Sequence, residues 1–254
     1  MEKIKILIFV WVLAAACNTS SNENKSVESD SVVLTQPVQR EANADHDSLL
    51  ALGNQIIEKG GNEKIWNLAS VDSVRFVMDD NFINDNSKSR LALLTGMAGG
   101  SAGTANNLLL LFPGTTNADV IYAAQVGEID EAKIKDYNND GIKDFVVTTD
   151  MMWMGECNSS FEIADFKGGK YNILHASASQ SFIGCGQEES FYNFKAGDTL
   201  SNQTEDSIMA RGNSYEVLQK HRILIYSGGK TEDEILKKAK TTEQTTTIKL
   251  LNKN

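Results

Sequence analysis

The chain is short of basic charge, histidine and cysteine, and it has no long apolar run. Lys and Arg number 24 against 34 Asp and Glu, a formal net charge of −10. Nucleic-acid binding calls for clustered Lys and Arg, so this balance sets that class aside. It suits cation binding and simple solubility. The only imidazoles are His46, His175 and His221, and the only cysteines are Cys17, Cys157 and Cys185. Neither Cys157 nor Cys185 has a second Cys or a His at ligand spacing, which argues against a zinc site. The longest apolar stretch, starting at Ile6, is about a dozen residues, short of the ~20 that a membrane-spanning helix requires. Helical periodicity is nearly absent between Gly60 and Glu232, which argues against folds built from repeated βαβ units.

What the N-terminus does carry is a lysine-bearing start (Lys3, Lys5), an unbroken apolar run from Ile6 to Leu13, and Ala14-Ala15-Ala16-Cys17. A charged start, an apolar core and small residues before a break describe a secretory signal peptide. A cysteine directly after the small residues resembles the lipobox of bacterial lipoproteins. That family prefers Leu three residues before the cysteine; Ala14 stands there, with Leu13 one residue earlier. The resemblance implies removal of residues 1–16, acylation of Cys17 and a cell-envelope protein held on a membrane by lipid. More than one acyl chain is what makes such anchoring stable. Asn18 rather than Asp after the cysteine implies the outer membrane or cell surface over the inner membrane.

Residues 17–46 are rich in Asn, Ser, Glu and Asp, with few large apolar side chains beyond Val32, Val33 and Leu34. Such a stretch buries too little to offset its ordering entropy, so it reads as a flexible tether. Residues 47–254 then form the globular part. With Cys17 acylated, Cys157 and Cys185 remain, an even number in an oxidising compartment, and are expected to pair.

The globular part reads as mainly β, a β-sandwich or propeller-blade-like set of antiparallel sheets with a few peripheral helices. Ser48–Glu58 has apolar residues at helical spacing, with Asp47 as N-cap and Gly60-Gly61 as terminator. Val71–Met78, Arg90–Leu94, Leu108–Phe112 and Val120–Val126 are short β-prone runs separated by turn residues. Phe161–Phe166 and Tyr171–His175 flank Gly168-Gly169 as a hairpin. Tyr215–Tyr226 reads as one long strand or two, Glu232–Ala239 as a short helix and Thr245–Leu251 as a last strand. The order strand, Gly-containing loop, strand, turn, strand occurs twice, from Leu93 and from Val147, a faint internal echo.

One motif carries chemistry. Asp136-Tyr-Asn138-Asn-Asp140-Gly141-Ile142-Lys-Asp144 runs directly into Phe145-Val-Val-Thr. Oxygen-bearing side chains recur at alternate positions before a glycine, the ligand pattern a hard cation such as Ca²⁺ takes. The ligands would be Asp136, Asn138, Asp140, the carbonyl of Ile142, and Asp144 directly or through water. An EF-hand would need a bidentate Glu where Val147 stands and a helix where a strand is expected. The loop instead resembles those of the FG-GAP and VCBS repeats, which implies a structural ion stapling a turn between strands. The bland alternative is a polar turn.

Other constellations compete with this one. Gly99-Gly-Ser101-Ala-Gly103 matches the G-x-S-x-G elbow of seryl hydrolases, with Asp144 or Asp150 and His175 or His221 in permitted order. The flanking sequence lacks the helices that fold needs, so a small-residue loop is the plainer reading. Glu156 with His175 is a possible acid–base pair. Met151–Glu156 reads as packing or as a partner-binding patch. The expectation is therefore a membrane-anchored, calcium-stabilised binding or structural module meeting a protein or glycan partner. An envelope or extracellular hydrolase is the alternative.

Overall fold

The computed structural model describes residues 38–59, 64–84, 86–98, 105–153, 155–185 and 193–250. The expected signal peptide, Cys17 and the Ser101 loop lie outside the described residues. Helix α1 (Val38–Glu58) is followed by β1 (Leu68–Asn84), β2 (Ser87–Ala98), β3 (Asn107–Phe112) and β4 (Tyr122–Val126). Then come β5 (Glu128–Ile129), β6 (Phe145–Trp153), β7 (Glu156–Asp165), β8 (Asn172–Ser181), β9 (Thr199–Arg211), β10 (Ser214–Ile225), helix α2 (Glu232–Lys238) and β11 (Lys240–Lys249). The protein is mainly β, as expected, with both sheets antiparallel. One has the order β1-β2-β3-β4, the other β11-β10-β9-β8-β7-β6-β5. Within each sheet every strand thus lies beside its neighbour in sequence.

The layers follow from which faces are apolar. All of β3, Asn107-Leu-Leu-Leu-Leu-Phe112, is buried. A continuous apolar run of this kind reports a strand covered on both sides, and each fully buried Leu or Phe contributes roughly 1.5–3 kcal/mol. On one side, Leu108, Leu110 and Phe112 pack with Ala92, Leu94 and Val71 against Leu49, Leu52 and Ile56 of α1. Asn54 pins the helix to β1, its Nδ2 donating to Val71 O (2.9 Å) and its Oδ1 accepting from Val71 N (3.0 Å). On the other side, Leu109, Leu111, Leu91, Leu93, Phe76 and Phe82 share a core with Ile129, Phe145, Val147 and Ala164 of the second sheet and with Phe166 just past β7. That shared core is the sandwich arrangement.

The chain crosses between the sheets at Gly127. A Cβ there would lie 2.0 Å from Thr148 O and 2.3 Å from Thr149 Oγ1, so only glycine permits the approach. Farther on, β8 and β9 pair only through Gln180–Asn202 and Ser181–Ser201. The sheet splits there, and a third layer of β9–β11 folds over the outer face of β6–β8. Val217 and Leu250, with Ile208 and Ile248, pack on Val146 and Ile163. Strands β2–β4 and β6–β8 are both antiparallel meanders, the topology of the echo noted in the sequence.

Three elements differ from expectation. Helix α1 starts at Val38, within the stretch read as tether, so Asp47 lies inside it and is not a cap. Residues 38–46 hold Gln, Arg, Glu and two Ala without Gly or Pro, good helix formers whose polarity masked them. Of the two readings of Tyr215–Tyr226 the single long strand holds, as β10 over Ser214–Ile225, whereas the last strand begins at Lys240 and not at Thr245. Strand β9 has no counterpart among the expected elements, because Thr199–Arg211 is largely polar. The two-residue turn Gly212-Asn213 was the available signal.

Candidate cation-binding loop

Residues 136–144 leave the 3₁₀ turn Glu131–Lys133 and return as β6. A short antiparallel bridge closes the base: Lys135 N donates to Asp144 O (3.0 Å) and Asp144 N to Lys135 O (2.7 Å). Asn139 (φ 60°) and Gly141 (φ 85°) take left-handed conformations, which is why Asn and Gly stand there. Alternate side-chain oxygens then accept from backbone N–H groups within the loop, the first three from residues ahead of them and Asp144 from one behind. Asp136 Oδ1 and Oδ2 accept from Asp140 N (3.1 Å) and Gly141 N (2.9 Å). Asn138 Oδ1 accepts from Asp140 N (3.0 Å), Asp140 Oδ1 from Ile142 N (3.0 Å), and Asp144 Oδ2 from Tyr137 N (2.6 Å).

Two carboxylate oxygens are left over. Asp144 is fully buried, and its Oδ1 has no hydrogen-bond partner. The Asp140 side chain is 4 % exposed and its Oδ2 is likewise buried without a hydrogen bond; the nearest cation is Lys167 Nζ at 3.6 Å. Buried polar atoms are rarely left so, and unpaired buried charge is expensive. Burial accordingly pushes the Asp144 carboxyl up to about 8, with the charges of Asp165, Asp136 and Asp140 adding to the shift.

Asp165 escaped the sequence reading. It closes β7, is fully buried, and lines the same recess as Asn138 and Asp140. Its Oδ1 accepts from Lys167 N (2.9 Å), and both oxygens accept from Asn172 Nδ2 (3.2 Å each). Burial raises its carboxyl too. The signal was present: Asp165 shares the strand phase of Ile163, a core position. The loop is also tied to its surroundings. Lys143 N donates to Asn81 O of β1 (2.7 Å), Asn139 Nδ2 to Asn213 O of the β9–β10 turn (2.6 Å), and Tyr137 meets Tyr215 edge to face at 5.0 Å.

Among the described residues no three His, Cys, Asp or Glu side chains gather as a ligand group on their own. A hard-cation shell also draws on amide and carbonyl oxygens, here Asn138 and Ile142. The two buried oxygens without a hydrogen bond are what fits a cation.

Cys157 and Cys185 are joined, with sulfurs 2.21 Å and Cα atoms 5.6 Å apart, tying the start of β7 to the segment after β8. Glu156 and His175 take different partners. Glu156 Oε2 accepts from Gln180 Nε2 (3.1 Å) at the start of β7, whereas His175 is buried opposite Ile163 with Nε2 3.3 Å from Asp206 Oδ2. His221 contacts Asn202. No family model, curated protein or solved structure matches this chain.

Proposed function

We propose that the protein is a lipid-anchored envelope module whose loop 136–144 takes up a structural Ca²⁺. The single observation that carries this is the pair of buried carboxylate oxygens without a hydrogen bond, Asp144 Oδ1 and Asp140 Oδ2, of which only the second has a cation nearby, Lys167 Nζ at 3.6 Å. Asp136, Asn138, Asp140, Asp144 and the Ile142 carbonyl would hold the ion, which would take the place of the Asp144 proton and add to the single positive charge that Lys167 brings to Asp140. Bound there, it would brace a segment that touches β1, the β9–β10 turn and β6, and so tie all three β layers together. The N-terminal pattern ending in Cys17 supports acylation and residence on the outer membrane or cell surface. Among the described residues no helix is long and apolar enough to cross a membrane.

Titration calorimetry with Ca²⁺ tests the loop. The intact chain is expected to bind and to gain melting temperature as free Ca²⁺ exceeds the dissociation constant, while Asp140→Ala loses both. No heat with Ca²⁺, together with unchanged unfolding of Asp140→Ala, refutes the reading. Replacement of Cys17 by Ala is expected to release the protein from the membrane fraction.

A further inference from the structure

An open groove of about 440 Å³ runs along the seam where β4 of the first sheet meets β6 and β7 of the second. None of the residues of loop 136–144 lines it. Its base continues the aromatic end of the shared core. Tyr122 stacks on Tyr171 with centroids 5.6 Å apart and planes 10° from parallel, and meets Phe166 edge to face at 4.9 Å.

Trp66 stands on the rim, 58 % exposed. Scattered exposed apolar residues are ordinary, so exposure alone argues nothing. The support beneath this one does. Gln125 is buried, and its Oε1 accepts from the backbone N–H groups of both Trp66 (3.2 Å) and Asn67 (2.9 Å). Its Nε2 donates to Ala105 O (2.5 Å), and its own N–H donates to Lys64 O (2.9 Å). A satisfied buried amide thus fixes the backbone under an indole left in water. The backbone that carries the indole is ordered before any ligand arrives, and such preorganisation favours affinity.

The lining selects the ligand class. Lys64 Nζ lies 4.2 Å from the Tyr122 ring centroid, so the face of Tyr122 is already taken by the protein's own ammonium, and that charge balances Glu162 in the lining, which suits a neutral ligand. A purely apolar ligand would strand the Glu162 carboxylate and the Thr149 hydroxyl in the groove without water. A pyranose ring meets both constraints. Its C–H face lies flat on an indole, and its hydroxyls donate to a carboxylate in charge-assisted bonds. Glu162 is already oriented for this, with Tyr171 Oη donating to its Oε2 at 3.0 Å. The volume falls within the range of small-ligand sites.

We propose that this groove binds a neutral saccharide, one pyranose ring stacked on Trp66 and hydrogen-bonded to Glu162. The proposal goes beyond the cation reading and does not depend on it. Its test uses the full mature chain in a non-glycosidic detergent, titrated with cellohexaose, maltohexaose and chitohexaose, with and without EDTA. Heat is measured by calorimetry, and Trp66 emission is followed in the mature chain, which lacks Trp11, with Trp153 changed to Phe. At least one oligosaccharide is expected to bind and to shift the emission, equally with EDTA present. Trp66→Ala is expected to weaken binding about tenfold or more at an unchanged melting temperature, and Glu162→Gln about tenfold. No heat with any of the three at millimolar concentration overturns the proposal, as does undiminished binding by Trp66→Ala. Insertion of Trp66 into phosphatidylethanolamine–phosphatidylglycerol vesicles, without sugar binding, overturns it in favour of a membrane contact.

Discussion

Replacing Asp144 by asparagine separates the cost of the buried carboxylate from the gain of filling the site. Burial and neighbouring carboxylates lift the Asp144 carboxyl from 3.8 to about 8. A carboxyl whose folded pKa lies above its unfolded value holds its proton more tightly when folded. The calcium-free protein therefore loses stability as pH rises through the window from about 4 to about 8. Each pH unit inside that window is worth about 1.4 kcal/mol, so at pH 7 the accumulated loss is about 4 kcal/mol. The substituted amide would keep an acceptor for Tyr137 N, which sits 2.6 Å from the native Oδ2. It would also replace the partnerless Oδ1 with an amide donor among carboxylates. In EDTA at pH 7 the Asp144→Asn protein is expected to melt about 10 °C above the wild type, at about 2–4 °C per kcal/mol for this chain size. The gap should close as pH falls toward 4. Free Ca²⁺ at about a hundred times its dissociation constant should raise the wild type by about 2.7 kcal/mol and leave the variant unmoved. Melting curves by circular dichroism across pH 4 to 8 decide the matter. A wild-type midpoint that is flat with pH in EDTA, or a variant less stable than wild type at pH 7 in EDTA, refutes the reasoning.

Lys167 Nζ, 3.6 Å from Asp140 Oδ2, competes with an incoming cation, so Lys167→Met should tighten Ca²⁺ binding several-fold in calorimetry; unchanged affinity would remove Lys167 from the site. Gly127→Ala would place a methyl 2.0 Å from Thr148 O and should lower stability in urea by about 2–4 kcal/mol through forced separation of the sheets; a near-neutral result would mean the crossing is loose. Reducing the Cys157–Cys185 bond, which spans 28 positions, should lower stability by about 3–4 kcal/mol by freeing the unfolded chain. Matching urea midpoints with and without reductant would show the bond to be energetically idle.

Much of the β architecture is legible because apolar runs and turn residues alternate plainly. Leu108–Phe112 announces a strand covered on two sides, and Gly168-Gly169 marks the hairpin. What covers those two sides is not local information. That α1 lies on one face and the second sheet on the other depends on contacts between segments far apart in sequence. Strand β9 hid because its side chains meet a polar cleft and solvent, so no apolar alternation marks it. In the candidate site, the Asp136–Asp144 spacing is a sequence signal in its own right, whereas Asp165 joins only when the β7–β8 hairpin folds back over the loop. Gln125 reads in sequence as an ordinary strand amide; its hold on Trp66 exists only in three dimensions.

The strictly consecutive strand order has a consequence for how the chain folds as it is made. Each hydrogen-bonded partner is the next segment to emerge, so hairpins can close over short loops without waiting for the far terminus. Only the stacking of one layer on the next, at Gly127 and again where β8 parts from β9, calls for distant segments to meet. A chain emerging from its N-terminal end thus zips up in the order in which it arrives, with the fold closing over itself as the last strands come through.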